Sequence, residues 1–214
     1  MAREGERDGA AAFDSALAAL GESGGAFLVC GDVPSSVHEQ ACERWLGAND
    51  RQRLVVRTEG TRAATATATE TVTYETALRS AAAGTAAGAE TTVTSLSDLG
   101  TTLVDAIGRL EARAREPGDI RVCVEAVDPL RYDHDDETVF RFLHLLVNRV
   151  RAADALAHVH LAAAHEAEVT RTFASLFDGT VALRTAGGVA QEQWHLSDDD
   201  ITTEWLPVAD RGER

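Results

Sequence analysis

The sequence predicts an α/β fold: a doubly wound, mostly parallel sheet with antiparallel strands added at one edge by the C-terminal part of the chain. Short apolar runs alternate with amphipathic stretches as far as residue 176, which is typical of parallel strands joined by helices. The apolar runs are continuous, as expected for strands buried on both faces of a sheet. Three strand-like stretches then follow one another, with Gly187-Gly188 as a hairpin signal between the first two.

Each element follows from the spacing of its apolar residues. The predicted strands are 26–30, 53–58, 71–74, 91–95, 120–127, 157–164, 180–185, 189–196 and 202–208. The predicted helices are 11–20, 36–46, 75–83, 97–115, 136–153 and 166–176, and most of 60–88 is a variable connection. Ser36 and Glu39 have the spacing of a capping box at the start of the second helix. Because no linker divides the chain, we expect one domain over 11–208, with charged, flexible termini at 1–10 and 209–214.

The composition indicates a globular protein adapted to salt. The chain has 214 residues, 44% of them hydrophobic, and a formal net charge of −15. All 20 basic residues are arginine. Excess carboxylates keep a surface hydrated when salt screens charge over about 3 Å at 1 M, and arginine pairs bidentately with carboxylates. We therefore expect a halophilic archaeon as the source, with an acidic mesophile of GC-rich genome as the alternative. The negative charge makes nucleic-acid binding unlikely.

The cysteines and the hydropathy place the chain among cytoplasmic proteins. Cys30, Cys42 and Cys123 form no C-x-x-C pair, so we expect reduced thiols, with Cys30 and Cys123 in the core. No apolar stretch reaches 18 residues, and we expect neither a membrane-spanning nor a secretory segment.

Three stretches of the sequence form a distinctive set. They are the strand 26–30 followed by Gly31, a turn and a helix, the strand and turn over 120–130, and the succession of elements over 138–184 followed by Gln193-Trp194-His195. Together they resemble the RecA-like ATPase superfamily, specifically its KaiC-like branch, and related uncharacterised haloarchaeal proteins, in which 120–130 is similar to the Walker B strand. The resemblance covers about 11–208 and implies a RecA-like sheet with a nucleotide cleft beyond the first strand.

The residues that such a cleft requires are replaced in this sequence. Counting from Gly31, Ser36 stands at the second glycine of the phosphate-binding loop, Val37 at its lysine and His38 at its hydroxyl residue. Glu125 falls on the acidic Walker B position. Val37 cannot neutralise phosphate and His38 offers Mg²⁺ no oxygen, although Mg²⁺ prefers oxygen ligands. Lysine is missing from the whole chain, but composition does not explain the loss of the glycine and the hydroxyl.

We therefore expect a non-catalytic domain with a lost phosphate-binding loop, in which these positions are vestigial. No ATPase activity, cofactor or metal is expected. The expected role is regulatory or scaffolding, through a protein partner or self-association at a RecA-like interface. The alternative is a small-molecule sensor that reuses the former cleft.

Other side chains keep further alternatives open. His158 and His160 lie two apart on a strand and share a face, so they could bind a transition metal with His165, His38 or a carboxylate. The more ordinary interpretation is a partly exposed strand. The acidic runs 133–137 and 198–200 could bind a cation, but they are typical of solvated loops. Nucleophilic chemistry by Ser35 or Ser36 with His38, and metal-dependent enzymes of another class, are weaker hypotheses.

Overall fold

The computed structural model describes residues 2–47, 50–58, 68–75, 90–197 and 201–208, with side chains from Phe13 onward. The helices are α1 (Ala2–Ser23), α2 (Ser35–Leu46), α3 (Leu96–Glu111), α4 (Asp128–Asp133), α5 (Asp136–Ala152) and α6 (Glu168–Ala174). The strands are β1 (Gly25–Cys30), β2 (Gln52–Thr58), β3 (Glu70–Tyr74), β4 (Glu90–Val93), β5 (Ile120–Val124), β6 (Leu156–Leu161), β7 (Gly179–Ala186), β8 (Val189–Leu196), β9 (Ile201–Thr202) and β10 (Leu206–Pro207).

These strands form one mixed sheet, which confirms the predicted α/β class. The order is β10-β8-β7-β1-β6-β5-β2-β3-β4, with β9 paired to β8. Strands β1 to β7 pair in parallel, whereas β8 pairs antiparallel with β7, β9 and β10. The β7–β8 turn is formed by Gly187 and Gly188, whose φ angles of 58° and 79° suit glycine. Strand β6 lies between β1 and β5, so the strand before Gly31 and the strand before Glu125 are not neighbours.

The two faces of the sheet are covered by different helices. On β1, Ala26 and Leu28 point into the large core beneath α3 and α5, while Phe27 and Val29 point to the opposite face. Helix α2 packs on β5 and β6 at that second face. A strand with helices on both sides has no solvated face, which explains the continuous apolar pattern of β1.

Several boundaries differ from those predicted. Helix α2 begins at Ser35, after Pro34, and no side chain caps it, so the predicted capping box of Ser36 and Glu39 is wrong. Helix α1 begins at Ala2 rather than near residue 11. The short helix α4 was not predicted, because six residues are too few to display a helical period. The last predicted strand, 202–208, is divided in the structure into the two short strands β9 and β10. The predicted helix 75–83, the acidic run 198–200 and the terminus 209–214 lie largely outside the described residues.

Arginine–carboxylate pairs tie several elements together. Arg109 on α3 donates from Nε and Nη2 to the two carboxylate oxygens of Glu70, at 3.2 and 2.7 Å. Arg131 makes the same two-point contact with Asp136, at 2.7 and 3.3 Å. Lysine cannot reproduce this planar fork. In the described parts of the chain, no helix has the length and apolar character that crossing a membrane demands.

Candidate functional site

The connection between β1 and α2 is short and closely packed against β7. It consists of residues 31–34. A Cβ atom added to Gly31 would lie 2.7 Å from the carbonyl oxygen of Leu183, and the Gly31 N–H donates to Leu161 at 3.4 Å. The glycine is therefore explained by the approach of the neighbouring strand, without reference to phosphate.

The first turn of α2 directs two side chains into the protein at this connection. Val37 is 8% exposed and packs with Val29 and Leu183. His38 is also 8% exposed, and its Nε2 lies 3.0 Å from the carbonyl oxygen of Gly31. Ser36 faces solvent. The positions that the resemblance assigns to lysine and hydroxyl thus belong to the core, whereas the position of the second glycine lies at the surface.

Glu125 follows β5 and contacts a different part of the sheet edge. Its backbone N–H donates to Val56 at 3.0 Å, and its Oε1 lies 3.9 Å from Nε of Arg57. The side chain is 7% exposed. Glu125 and His38 are thus both buried at the carboxyl ends of parallel strands, and the charged partner identified for Glu125 lies on β2.

Beneath α2, four side chains of metal-ligand type meet in the core. They are Cys42, Cys123, His158 and His160, all buried, and one ligand atom from each lies within 4.8 Å of every other. Cys42 and Cys123 are joined by a disulfide with their Cα atoms 6.4 Å apart. The expectation of reduced thiols is therefore wrong for this pair, because the α2–β5 packing brings together two cysteines that are 81 residues apart in sequence. Cys30 is a free, buried thiol, as expected.

Strand register and helix period assemble this cluster. Cys123 on β5 stands opposite His158 on β6, and His160 is two residues further along the same face. On α2, His38 and Cys42 are four residues apart, so they lie one above the other on the buried side of the helix. One helix face therefore meets one face of two adjacent strands.

Hydrogen bonds fix the protonation of two of these rings. Only a donor at Nε2 of His38 can bond to the carbonyl of Gly31, which leaves Nδ1 of His38 as an acceptor. The Nδ1 of His160 lies 3.1 Å from that atom and must therefore donate. These two linked hydrogen bonds leave Nε2 of His160 without a proton, so this atom carries a lone pair. The Nε2 atoms of His158 and His160 are buried and have no hydrogen-bond partner among the described residues.

Burial keeps all three imidazoles neutral. It lowers the pKa of His158 to about 3, with a smaller effect from the positive charge of Arg121. Burial also places the pKa of His160 well below its ordinary value and lowers that of His38 despite the bond to Gly31. The indole of Trp45 packs edge-on against His158, with ring centroids 5.5 Å apart. The cluster is thus a buried site with neutral imidazoles.

The sequence identified part of this arrangement. His158 and His160 share a face as predicted, and His38 joins them, but both strand histidines are buried rather than partly exposed. His165 lies elsewhere, stacked on His195 at 4.7 Å. The cysteines were missed because their spacing lacks a C-x-x-C pattern. The available signal was that Cys42 follows His38 by one helical turn.

The remaining candidates have structural explanations. Asp135, in the acidic run 133–137, caps α5 by accepting from the Thr138 N–H at 2.7 Å. Ser36 is exposed while His38 bonds inward, so their side chains point in different directions. Trp194 is buried, and Trp205 lies under the guanidinium of Arg184, whose Cζ is 3.9 Å from the ring centroid.

A family model described as a family of unknown function (DUF7504) matches residues 24–183. The match covers more than half of the chain, so the chain belongs to this family. It extends from β1 into β7, and it includes Gly31, His38, Glu125 and the cysteine–histidine cluster. A search of curated proteins found no match.

Proposed function

We propose that this member of the DUF7504 family is a non-catalytic RecA-like domain whose phosphate-binding loop has been lost, and that it has a regulatory or scaffolding role. The observation that carries the proposal is the inward packing of Val37 and His38. A phosphate-binding loop needs backbone N–H groups, a lysine and a hydroxyl directed at the ligand. At the corresponding positions of this chain, one side chain is apolar and the other is bonded to the carbonyl of Gly31.

The strand order supports the RecA-like part of the proposal. The parallel strands run β7-β1-β6-β5-β2, so a single strand separates the one that precedes the loop from the one that precedes Glu125. Because these strands are parallel, the loop and Glu125 lie at the same edge of the sheet, as a nucleotide cleft would require. Ligands of open α/β sheets bind at the carboxyl ends of such strands. Asp128 and Glu166, which act electrostatically on His38 and Cys30, make that edge unfavourable for an anion.

Exposed apolar side chains support a protein partner. Tyr132 on α4 is 92% exposed and Leu145 on α5 is 69% exposed. A surface cavity of about 290 Å³ is lined by Phe140, Arg141, His144 and Leu145. Large exposed apolar side chains beside a hollow are a common feature of protein contact surfaces. We place this protein in the cytoplasm of a halophilic archaeon, on the basis of its acidic, lysine-free composition.

The test is nucleotide binding and turnover in multimolar KCl. We expect no phosphate release and no thermal shift with ATP and Mg²⁺. The thermal shift is a sensitive measurement, because a ligand that binds would stabilise the protein by about 2.7 kcal/mol at 100 times its Kd. ATP turnover that disappears in Glu125→Gln would overturn the proposal. A shift with another metabolite, without turnover, would favour the sensor alternative.

Light scattering and affinity capture should show self-association or a partner; a monomer that captures nothing would contradict the scaffolding role.

A further inference from the structure

We propose that Cys42, Cys123, His158 and His160 form a buried zinc site once the disulfide between the two cysteines is reduced. Zinc binds cysteine sulfur at about 2.3 Å and histidine nitrogen at about 2.0–2.1 Å, so tetrahedral ligand atoms lie about 3.4–3.8 Å apart. The four ligand atoms of this cluster already lie within 4.8 Å of one another. Reduction frees the two bonded sulfur atoms to move apart to this spacing, while the longest distance between ligand atoms must shorten by about 1–1.4 Å at most. The proposal does not depend on the lost phosphate-binding loop.

The two strand histidines carry the argument. His158 is 3% exposed and His160 is 1% exposed, and in the described structure neither Nε2 atom meets a hydrogen-bond partner. A disulfide completes the bonding of the two sulfur atoms but leaves both imidazoles unsatisfied. A buried polar group without a hydrogen bond is destabilising, because it has lost its contact with water and gained no partner. A metal ion would bind both Nε2 atoms, so it accounts for polar side chains that the disulfide does not explain.

His38 acts as a positioning residue for this site. Its Nε2 donates to Gly31, and its Nδ1 accepts from Nδ1 of His160. The lone pair of His160 is therefore held on Nε2, the nitrogen that lacks a hydrogen bond. Histidines that bind metal commonly donate their second ring N–H in this way, which fixes the tautomer and the ring orientation.

The ligand set selects the metal and the kind of site. Two thiolates and two imidazoles suit zinc or copper(I), and they are poor ligands for Mg²⁺ or Ca²⁺. Four protein ligands with no open position are typical of structural zinc rather than catalytic zinc. The ion would fasten α2 to β5 and β6. It would therefore hold in place the helix whose first turn carries Val37 and His38.

The disulfide and the metal exclude each other. A dithiol reductant transfers two electrons and two protons to the Cys42–Cys123 bond, which breaks to give two thiols while the reductant becomes a disulfide. Zinc binding to the thiolates then releases both protons to solvent. The two forms of the site are thus a covalent link between α2 and β5 and a metal link that also includes β6.

Metal content and thiol count test the proposal directly on the wild-type protein. Protein reduced by a dithiol, which is then removed by anaerobic gel filtration, should bind one added zinc per chain, and cobalt added instead should give thiolate-to-metal charge-transfer and tetrahedral d–d bands. The oxidised protein should bind neither. After unfolding with a chelator and no added reductant, the zinc-loaded chain should release three thiols, whereas the oxidised chain has one, at Cys30.

Variants separate the ligands from their surroundings. His160→Asn should abolish stoichiometric cobalt binding, while Cys30→Ser and His165→Asn, which alter residues outside the cluster, should leave it unchanged. His38→Phe keeps a ring but removes the bond to His160, so cobalt affinity should fall about 10–100-fold at unchanged stoichiometry. A reduced, folded wild-type protein that takes up neither zinc nor cobalt would overturn the proposal. So would full binding by a His158→Asn/His160→Asn double variant.

Discussion

Gly31 illustrates how one residue can be required for a reason other than the one its motif suggests. In the resemblance it is the first glycine of a phosphate-binding loop. In the structure it faces Leu183 of β7, which leaves no room for a side chain. Interior packing tolerates added atoms poorly, since backbone cannot move aside as the end of a flexible side chain can. The residue is therefore a packing requirement of the β1–β7 contact.

Replacing this glycine should destabilise the fold. We expect Gly31→Ala to lower the free energy of unfolding by about 1–3 kcal/mol, because the new methyl group meets the Leu183 carbonyl at 2.7 Å. Gly21→Ala is the matched control: no atom lies within 4 Å of its added methyl, and alanine in a helix is favoured over glycine by about 0.5–1 kcal/mol. Urea unfolding measures both. Equal stability of Gly31→Ala and wild type would contradict this account.

The sequence allowed single residues of the site to be predicted to different degrees. Val37 and His38 could be assigned because a strand, a turn and a helix fix their positions by counting. His158 and His160 could be placed on one face because side chains alternate along a strand. The partner of Cys42 could not be found, since it depends on which face of α2 meets β5. That is a property of packing between elements 81 residues apart.

At the scale of elements, α5 shows how a polar run becomes a helix start. Asp135 precedes the helix and accepts from the Thr138 N–H at 2.7 Å. This bond holds the pKa of the Asp135 carboxyl below its ordinary value of 3.8. Because the pKa is lowered in the folded protein, the carboxylate stabilises the fold above its unfolded pKa, and this contribution is lost as pH falls through the folded pKa.

Asp135→Asn should remove this pH dependence without removing the cap, because asparagine also caps helices but does not titrate. The difference in unfolding free energy between wild type and variant should stay constant above about pH 5 and shift against the wild type as pH falls below 4. Urea unfolding from pH 2 to 7 measures the difference. A difference that does not change over this range would contradict the lowered pKa of Asp135 in the folded protein.

The elements themselves were predictable where apolar runs were continuous or strongly periodic. Strands β1, β5, β6 and β7 were each identified, although β5 ends at Val124 rather than residue 127. The start of α2 was misplaced, since the capping box of Ser36 and Glu39 matched a pattern that the helix does not use. Pro34 fits at this helix start because its missing N–H would have no intrahelical partner there.

For the whole molecule, charge decides the conditions under which the fold is stable. The formal net charge of −15 is distributed over a sheet and helices that also carry two-point arginine pairs, such as Arg109 with Glu70. Mutual repulsion of the excess carboxylates opposes compaction at low salt. Exposed attractive pairs contribute only about 0–1 kcal/mol each.

Salt should therefore stabilise the protein. The urea midpoint should rise with KCl, and most of the rise should occur below about 1 M, where the screening length has fallen to about 3 Å. NaCl should act equally at the same ionic strength if screening is the cause. Denaturation monitored by circular dichroism measures this dependence. A midpoint that is unchanged or lower in KCl would contradict the salt-adapted interpretation of the composition.

The disulfide between Cys42 and Cys123 also gives the chain a closed covalent ring. The ring contains helix α3 and the three strands beyond β5 at one edge of the sheet, which are β2, β3 and β4. A peptide bond cut anywhere between residues 43 and 122 would open the ring without separating the two pieces, which would remain one molecule until the disulfide was reduced. One edge of the sheet can thus lose its backbone continuity while its strands stay tethered to the rest of the fold.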